Sequence, residues 1–516
     1  MSVLVASKLG LISPPGVLQI QRLPKLEGLE KKVYLAKSRD DEVDDVKRWL
    51  DDTNRDGEFA YWINGTAGVG KSVLARHLAD LLKDGNRLGC LVHLGANVQH
   101  SLSDLIQGMA RELTALHPSC YDTIVAEAKK ETSSMEGVDS TFERYLYKPI
   151  KLLNVPAPLV FIVDGLDEWP QHEPFLKALN TMHGDHTRFI FTSRTHDEIK
   201  NALRHLSLRP SILSMVSGST MQSYFRDAFT RLRVDVTSAE LDSLVDQAKG
   251  LFIWAATVCR LMEFAEGATP VEVLKTIISS PRTATTMHSE SLIWDLYNKG
   301  LPRLCRNQDL HRKTLRMVLS VMAAIQRDIS LKHFSKFVGI EELEVRLFHS
   351  RLRAFYTTEQ QWQGNIIYPL HLTTHASFRD FLFDNDATAH SFVVGYQHGH
   401  AMISEVCHSH VMTYLKMPEA MPFETPGDLN FEEYVFTYWI LHDFAAKRSG
   451  FLLDDALHKH LQILQRLIFP SNPKLSSTPS LPSFKMPSQI MSIIEGIINP
   501  FLGDIAGQLL PAVSIH

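Results

Sequence analysis

Gly65-Thr66-Ala67-Gly68-Val69-Gly70-Lys71-Ser72 fits the pattern GxxxxGK[ST]. It lies between an apolar run, Phe59-Ala60-Tyr61-Trp62-Ile63, and a stretch with helical apolar spacing, Val73-Leu74-Ala75-Arg76-His77-Leu78-Ala79. Strand, glycine turn and helix in that order commit this part of the chain to an α/β sheet.

Gly65, Gly68 and Gly70 permit positive φ, so the backbone of Gly65 to Ser72, with Thr66, Ala67 and Val69 between the glycines, can wrap its N–H groups around phosphate oxygens. The loop opens a helix, whose dipole also favours an anion. Lys71 is placed to reach the outer phosphates and Ser72 to ligate Mg²⁺. A chance glycine turn is the alternative, and Lys71-Ser72 with the correct flanks argues against it.

Pro158-Leu159-Val160-Phe161-Ile162-Val163-Asp164-Gly165-Leu166-Asp167-Glu168 is the second landmark. An apolar run ending in aspartate describes a central strand that presents a carboxylate at its C-terminal edge. Asp164 is expected in the Mg²⁺ shell, and Asp167 or Glu168 as the group that orients and deprotonates a water. Taken alone, an acidic turn after any strand explains these residues equally well; the glycine loop upstream favours the nucleotide reading. Arg188-Phe189-Ile190-Phe191-Thr192-Ser193-Arg194 reads as a further buried strand beside the other two, with Ser193 and Arg194 near a terminal phosphate as a charge sensor. A solvated strand end is the alternative there.

At 516 residues the chain is long enough for about three or four domains. Hydrophobic content of 44% and charged content of 22% are those of a globular protein. A net charge of −5 with scattered basic residues argues against nucleic acid as a partner. The five cysteines are far apart and lack CxxC spacing, which fits a reduced, cytoplasmic setting. The first residues do not form a signal peptide, and no run of apolar residues is long enough to span a bilayer.

Residues 1–36 show no period and read as a poorly ordered leader, with docking onto the next domain as the alternative. Arg39 to Leu50 is expected to be a helix with Val43, Val46, Trp49 and Leu50 on one face; Leu88 to Leu94 a strand; and Ser101 to Leu116 a helix capped by Ser101 or Ser103.

The order GTAGVGKS, LVFIVDGLDE, FIFTSR resembles the NACHT subgroup of the STAND nucleotide-switch ATPases, and the DGLDE form is fairly specific to it. Lys249-Gly250-Leu251-Phe252-Ile253-Trp254-Ala255-Ala256 and His371-Leu372-Thr373-Thr374-His375-Ala376-Ser377-Phe378-Arg379-Asp380-Phe381-Leu382 resemble two further stretches of that family, especially of its fungal members. The likeness covers roughly residues 37 to 385. It implies a multidomain chain with an α/β P-loop nucleotide-binding domain over 37–212, a small helical domain over 213–304 and a winged helix over 305–385 that acts as a latch. His375 matches the family histidine at the β-phosphate of bound ADP; a core histidine satisfied by a carbonyl is the alternative. Many relatives carry a proline where Leu251 or Phe252 stands, so the family's adenine contact does not carry over, and GLFIWAA also reads as a helix packed in a core. The implied activity is slow ATP hydrolysis with Mg²⁺: ADP holds a closed state, ATP opens it, and the open form self-associates. The motifs leave GTP open as the nucleotide. A metabolic P-loop kinase or transferase, and a nucleotide-binding scaffold without turnover, are the competing classes.

A winged helix can bind DNA, but Glu341-Glu342-Leu343-Glu344-Val345-Arg346 starts acidic where a recognition helix needs a basic face. Residues 386–470 are expected to be a further helical domain with Tyr434, Tyr438, Trp439 and Leu441 as a bulky face. Residues 471–489 read as a proline and serine linker, and 490–516 as an amphipathic helix with Ile490, Ile493, Ile494, Ile497, Ile498, Phe501, Leu502 and Ile505 on one side. Such a helix could dock onto a protein partner or a second copy. Its polar residues Glu495, Asp504 and Gln508 are not basic, which argues against a membrane surface.

Overall fold

Short apolar runs that end in polar residues become the strands of one parallel sheet. The computed structural model describes residues 20–446 apart from 21–22, 27–33, 53–57, 95–100, 131–137, 154–157, 183–186, 265–267, 280–288, 306–308, 357–364, 385–391 and 416–428. Two compact units divide the chain: Met1–Leu301 with Arg353–Glu359 and Thr374–Phe381, and Pro302–Leu352 with Gln360–Thr373 and Leu382–His516.

In the first unit, α1 (Asp40–Asp51) buries Val43, Val46, Trp49 and Leu50, the face expected from its spacing. The strands are β1 (Ala60–Asn64), β2 (Leu88–His93), β3 (Leu159–Asp164), β4 (Thr187–Ser193) and β5 (Leu208–Ile212), in the order β2-β3-β4-β1-β5 and parallel throughout. β1, β3 and β4 are buried along their whole length, which is why their sequences are nearly continuous apolar runs rather than alternating ones. Because β4 lies between β3 and β1, their C-terminal ends fall side by side.

Two helices of the first unit frame this edge. Helix α2 (Lys71–Asp84) leaves the glycine loop after β1, and α3 (Leu102–Leu116) follows β2. Of the two cap candidates, Ser101 is the N-cap of α3, in a capping box with Asp104 that satisfies donors at both residues. Phe161 of β3 stacks on Phe189 of β4 at a centroid separation of 5.3 Å, and Phe189 stacks on Phe191 of its own strand at 5.9 Å. In the leader, Ile20, Leu23 and Leu26 are buried in the same core, and Leu23 O accepts from Arg111 Nη1 of α3 at 2.8 Å. Helices α4 (Gly218–Leu232), α5 (Ser238–Ala248) and α6 (Phe252–Glu263) follow the sheet.

The second unit contains α7 (Asp309–Ala324), a two-stranded antiparallel sheet of β6 (Ile329–Ser330) and β7 (Ile366–Ile367), α8 (Leu331–Val338), α9 (Glu342–Leu352), α10 (Tyr396–Leu415) and α11 (Leu429–Ala445). β7 is only two residues long, because Pro369 has no N–H to pair and Leu370–Thr373 turn into a short helix. Ser330 caps α8 by accepting from His333 N–H. Helices α7 and α10 approach closely: a Cβ at Gly399 would lie 1.9 Å from Ser320 O. Tyr434 and Trp439 of α11 are buried, as their bulky pattern implied.

All five cysteines are buried and free. Among the described residues no helix is long and apolar enough to cross a membrane. The linker 471–489 and the helix expected over 490–516 lie outside the described residues.

Candidate nucleotide site

Of the three glycines expected to take positive φ in the turn after β1, Gly68 at +83° and Gly70 at +102° do so and Gly65 does not. Gly65 has no room for a side chain, since a Cβ there would sit 2.6 Å from Leu213 O. Helix α2 starts at Gly70 without a side-chain cap, so its first N–H groups face the loop. Lys71 folds back over this turn and donates from Nζ to Gly65 O at 2.8 Å and to Thr66 O at 2.9 Å. Burial pushes its ammonium down to about 8, against the pull of Asp167 and Asp164. An uncapped helix end, a turn with glycine at both of its positive-φ positions and a desolvated ammonium together fit a phosphate chain.

Two neighbouring elements hold the loop. Arg39, buried at the start of α1, donates from Nη2 to Val69 O at 2.8 Å and to Ser214 O at 2.7 Å, and from Nη1 to Glu42 at 2.8 Å. Ile253 N–H donates to Gly68 O at 3.2 Å, and a Cβ at Gly68 would lie 2.0 Å from Ile253 Cγ2. The GLFIWAA stretch therefore has two faces: Leu251, Trp254 and Ala255 are buried, while the half-buried Phe252 and Ile253 lie against Gly70 and Gly68. Nothing local signals the Arg39 contact, because only the folded unit brings residue 39 to residues 69 and 214.

At the end of β3, Asp164 is fully buried and both its oxygens are engaged. Oδ2 lies 2.7 Å from His93 Nδ1, and Oδ1 accepts from Thr192 Oγ1 at 2.5 Å. Burial opposes ionisation, but His93, Thr192 and Ser72 outweigh it and hold the carboxyl below its usual range. Ser72, the other expected Mg²⁺ ligand, is thus close enough to Asp164 to favour its charged form. His93 was not singled out from sequence, although its place at the C-terminal end of β2, paired with Asp164 in the β2–β3 register, is the signal that could have found it.

Asp167 and Glu168 lie on the turn Leu166–Glu168 after β3. Asp167 accepts from Arg194 N at 3.0 Å and from Arg194 Nε at 2.9 Å. Arg194 Nη1 reaches Asp380 Oδ2 at 2.7 Å, and Arg379 Nη2 reaches Glu168 Oε2 at 2.5 Å. Burial works against the Arg194 charge, but Asp380 and Asp167 raise its proton affinity above the ordinary value. Arg194, expected as a phosphate sensor, is here the centre of an ion-pair row, while Ser193 Oγ takes the indole N–H of Trp62 at 2.8 Å. Arg379 and Asp380 stood in the quoted sequence but received no role, because nothing local ties residue 379 to residue 168.

His375 precedes the short helix Ala376–Phe383. Its Nδ1 accepts from Ser377 N–H at 3.1 Å and lies 2.8 Å from Ser377 Oγ. Arg379 follows one helical turn later.

Residues 42–194 match the family model "Nephrocystin 3, N-terminal". Over 312 residues the chain is 23% identical to the vegetative incompatibility protein HET-E-1 of Podospora anserina, an overlap of 56% of this chain and 22% of that protein. The chain thus spans about a fifth of the length of this curated relative. Among solved structures, the Walker-type ATPase PABY2304 of Pyrococcus abyssi overlaps with a TM-score of 0.36 at 12% identity, covering 68% of this chain and 97% of that one. The ORC1 protein of Aeropyrum pernix, solved in complex with DNA, gives 0.33 at 12% identity over 70% and 95%. The family match, the similarity to the incompatibility protein, and the loop and carboxylates gathered at one edge of a parallel sheet agree: residues 42–194 resemble a NACHT-type P-loop NTPase domain.

Proposed function

We propose that the chain is an ATP-dependent signalling switch that binds Mg·nucleotide at Gly65–Ser72, rests with ADP, opens with ATP, hydrolyses slowly and self-associates when open. The observation that carries this reading is the arrangement around Lys71: a desolvated ammonium on a glycine loop, with Asp164 and Asp167 close enough to act on its charge. In this reading Ser72 and Asp164 would hold Mg²⁺, which when bound neutralises phosphate charge, and Glu168, or Asp167 in its place, would take the proton of water. Residues 213–304 and 305–385 would be the helical and winged-helix domains, with His375 at the β-phosphate of ADP. The name of the curated relative supplies a context, signalling in vegetative incompatibility. GTP in place of ATP is a variant of the same proposal.

The deciding experiment identifies the nucleotide that copurifies with the chain, then follows phosphate release with and without small-molecule acceptors. ADP in the purified protein and slow, acceptor-independent release support the switch. Transfer to an acceptor would make it a kinase. Bound nucleotide without any release would make it a scaffold.

A further inference from the structure

The two groups best placed to act on a terminal phosphate, Glu168 and Arg194, are both engaged by consecutive residues of one helix far away in sequence. Arg379 holds Glu168 at 2.5 Å, with side chains 11% and 17% exposed. Asp380 holds Arg194 at 2.7 Å, with side chains 39% and 20% exposed, while Asp167 holds the other side of the same guanidinium. Two adjacent residues of opposite sign thus meet two site residues of opposite sign, in matching order.

The helix does not depend on these charges for its place. Phe378 stacks on Phe355 at 4.8 Å and meets Tyr297 edge-on at 5.0 Å, Phe381 meets Tyr297 at 5.4 Å, and the Tyr297 hydroxyl pairs with Ser377 Oγ at 3.0 Å. An apolar anchor seats the helix, and the charged residues project from that seat into the site.

This arrangement has a chemical consequence. A carboxylate takes a proton from water only when it is turned toward that water, and the contact of Oε2 with the Arg379 guanidinium fixes the Glu168 side chain on Arg379 instead. Arg194 can stabilise phosphate charge only where its donors face phosphate, and Nη1 faces Asp380. The row can nonetheless be exchanged. An anion arriving at Arg194 competes with the Asp380 carboxylate for the same donors, and Asp380 is the most exposed of the four partners.

We propose that Arg379 and Asp380 are positioning residues that hold Glu168 and Arg194 in a non-hydrolysing arrangement, so that turnover requires both ion pairs to part. The inference rests on the nucleotide-site reading above and adds to it the regulation of the same site. It also offers a way to tell a triphosphate from a diphosphate, since only the longer chain brings an additional anion to compete with Asp380.

The test uses the full chain with Arg379→Gln, Asp380→Asn and the conservative Arg379→Lys, following ATP turnover, KM and thermal unfolding. Arg379→Gln and Asp380→Asn should each raise kcat about tenfold, the scale of one charge-assisted hydrogen bond, with KM for ATP within about twofold of wild type. Arg379→Lys keeps the charge and should stay near the wild-type rate. A purely structural role would lower the unfolding temperature without raising kcat, and that result overturns the proposal. Should Arg379→Gln fail to fold, the more exposed Asp380→Asn decides alone. If the wild-type chain binds no nucleotide, both this inference and the nucleotide reading fall. If it binds and hydrolyses ATP at a rate that neither variant raises, only this inference falls.

Discussion

Both units bury polar groups, but they do so in opposite ways. In the first unit, Asp164, Asp167, Glu168 and Arg194 are held by partners that favour their charged forms or carry the opposite charge. In the second, His400 Nδ1 lies 2.8 Å from His442 Nδ1, Tyr434 OH lies 3.0 Å from His442 Nε2, and both imidazoles are fully buried. Burial pushes His400 down to about 4; His442 falls well below its ordinary value for the same reason, with His400 adding to the effect. A balanced row of charges can exchange one partner for a ligand of the same sign. A neutral buried pair can take up a proton only by losing its packing.

The largest effect should come from the charged half. Lys71→Ala is expected to lower affinity for Mg·ATP by about a hundredfold or more, since a desolvated site loses a charge and its donors. Calorimetry checks this, and unchanged affinity would break the contrast at its root.

Next in size is Glu168→Gln, which should leave Mg·ATP bound and slow hydrolysis by about a hundredfold. If Asp167→Asn shows that behaviour instead, the two carboxylates exchange roles, and the bond from Asp167 to Arg194 becomes the contact that must open.

The third prediction concerns the neutral half. The folded-state affinity of His400 for protons is depressed, so the unfolded chain takes up a proton first, near pH 6.5, and stability is lost as pH falls from there toward about 4. At pH 5 the loss from one such histidine is about 2 kcal/mol. Urea unfolding followed at pH 7 and pH 5 would show it, in a window above the titration of most carboxylates. His400→Phe should flatten the slope, and a pH-independent wild type would mean the pair is not buried in solution.

The smallest effects compare two glycines with the same backbone sign. Gly339 has φ of +74° and open space around it, so Gly339→Ala should cost only the left-handed conformation, about 1 kcal/mol. Gly68→Ala at +83° adds a collision with Ile253, and should cost about 2 kcal/mol or more. Thermal unfolding of the two variants separates them. Equal losses would show that Ile253 yields freely and does not brace the loop.

Much of the site was legible in sequence because its parts are local. A glycine loop between a strand and a helix, and an aspartate closing an apolar run, carry their geometry with them: Gly68 and Gly70 have positive φ, and Asp164 stands at the end of β3 beside β4. The helix over Asp40–Asp51 and the cap at Ser101 follow from spacing and side-chain chemistry in the same way. What remained hidden depends on long-range packing. His93 reaches Asp164 only because β2 pairs with β3; Arg39 reaches Val69 and Ser214 only across the folded unit; and Arg379 and Asp380 meet Glu168 and Arg194 only because Tyr297 and Phe355 seat their helix. An isolated arginine has no periodicity and no motif, and its role is set by whichever carboxylate or carbonyl the fold brings to it. The sequence by itself therefore determined the glycine turn and the carboxylates that close β3, whereas the tertiary structure decided which distant charges pair with Glu168 and Arg194.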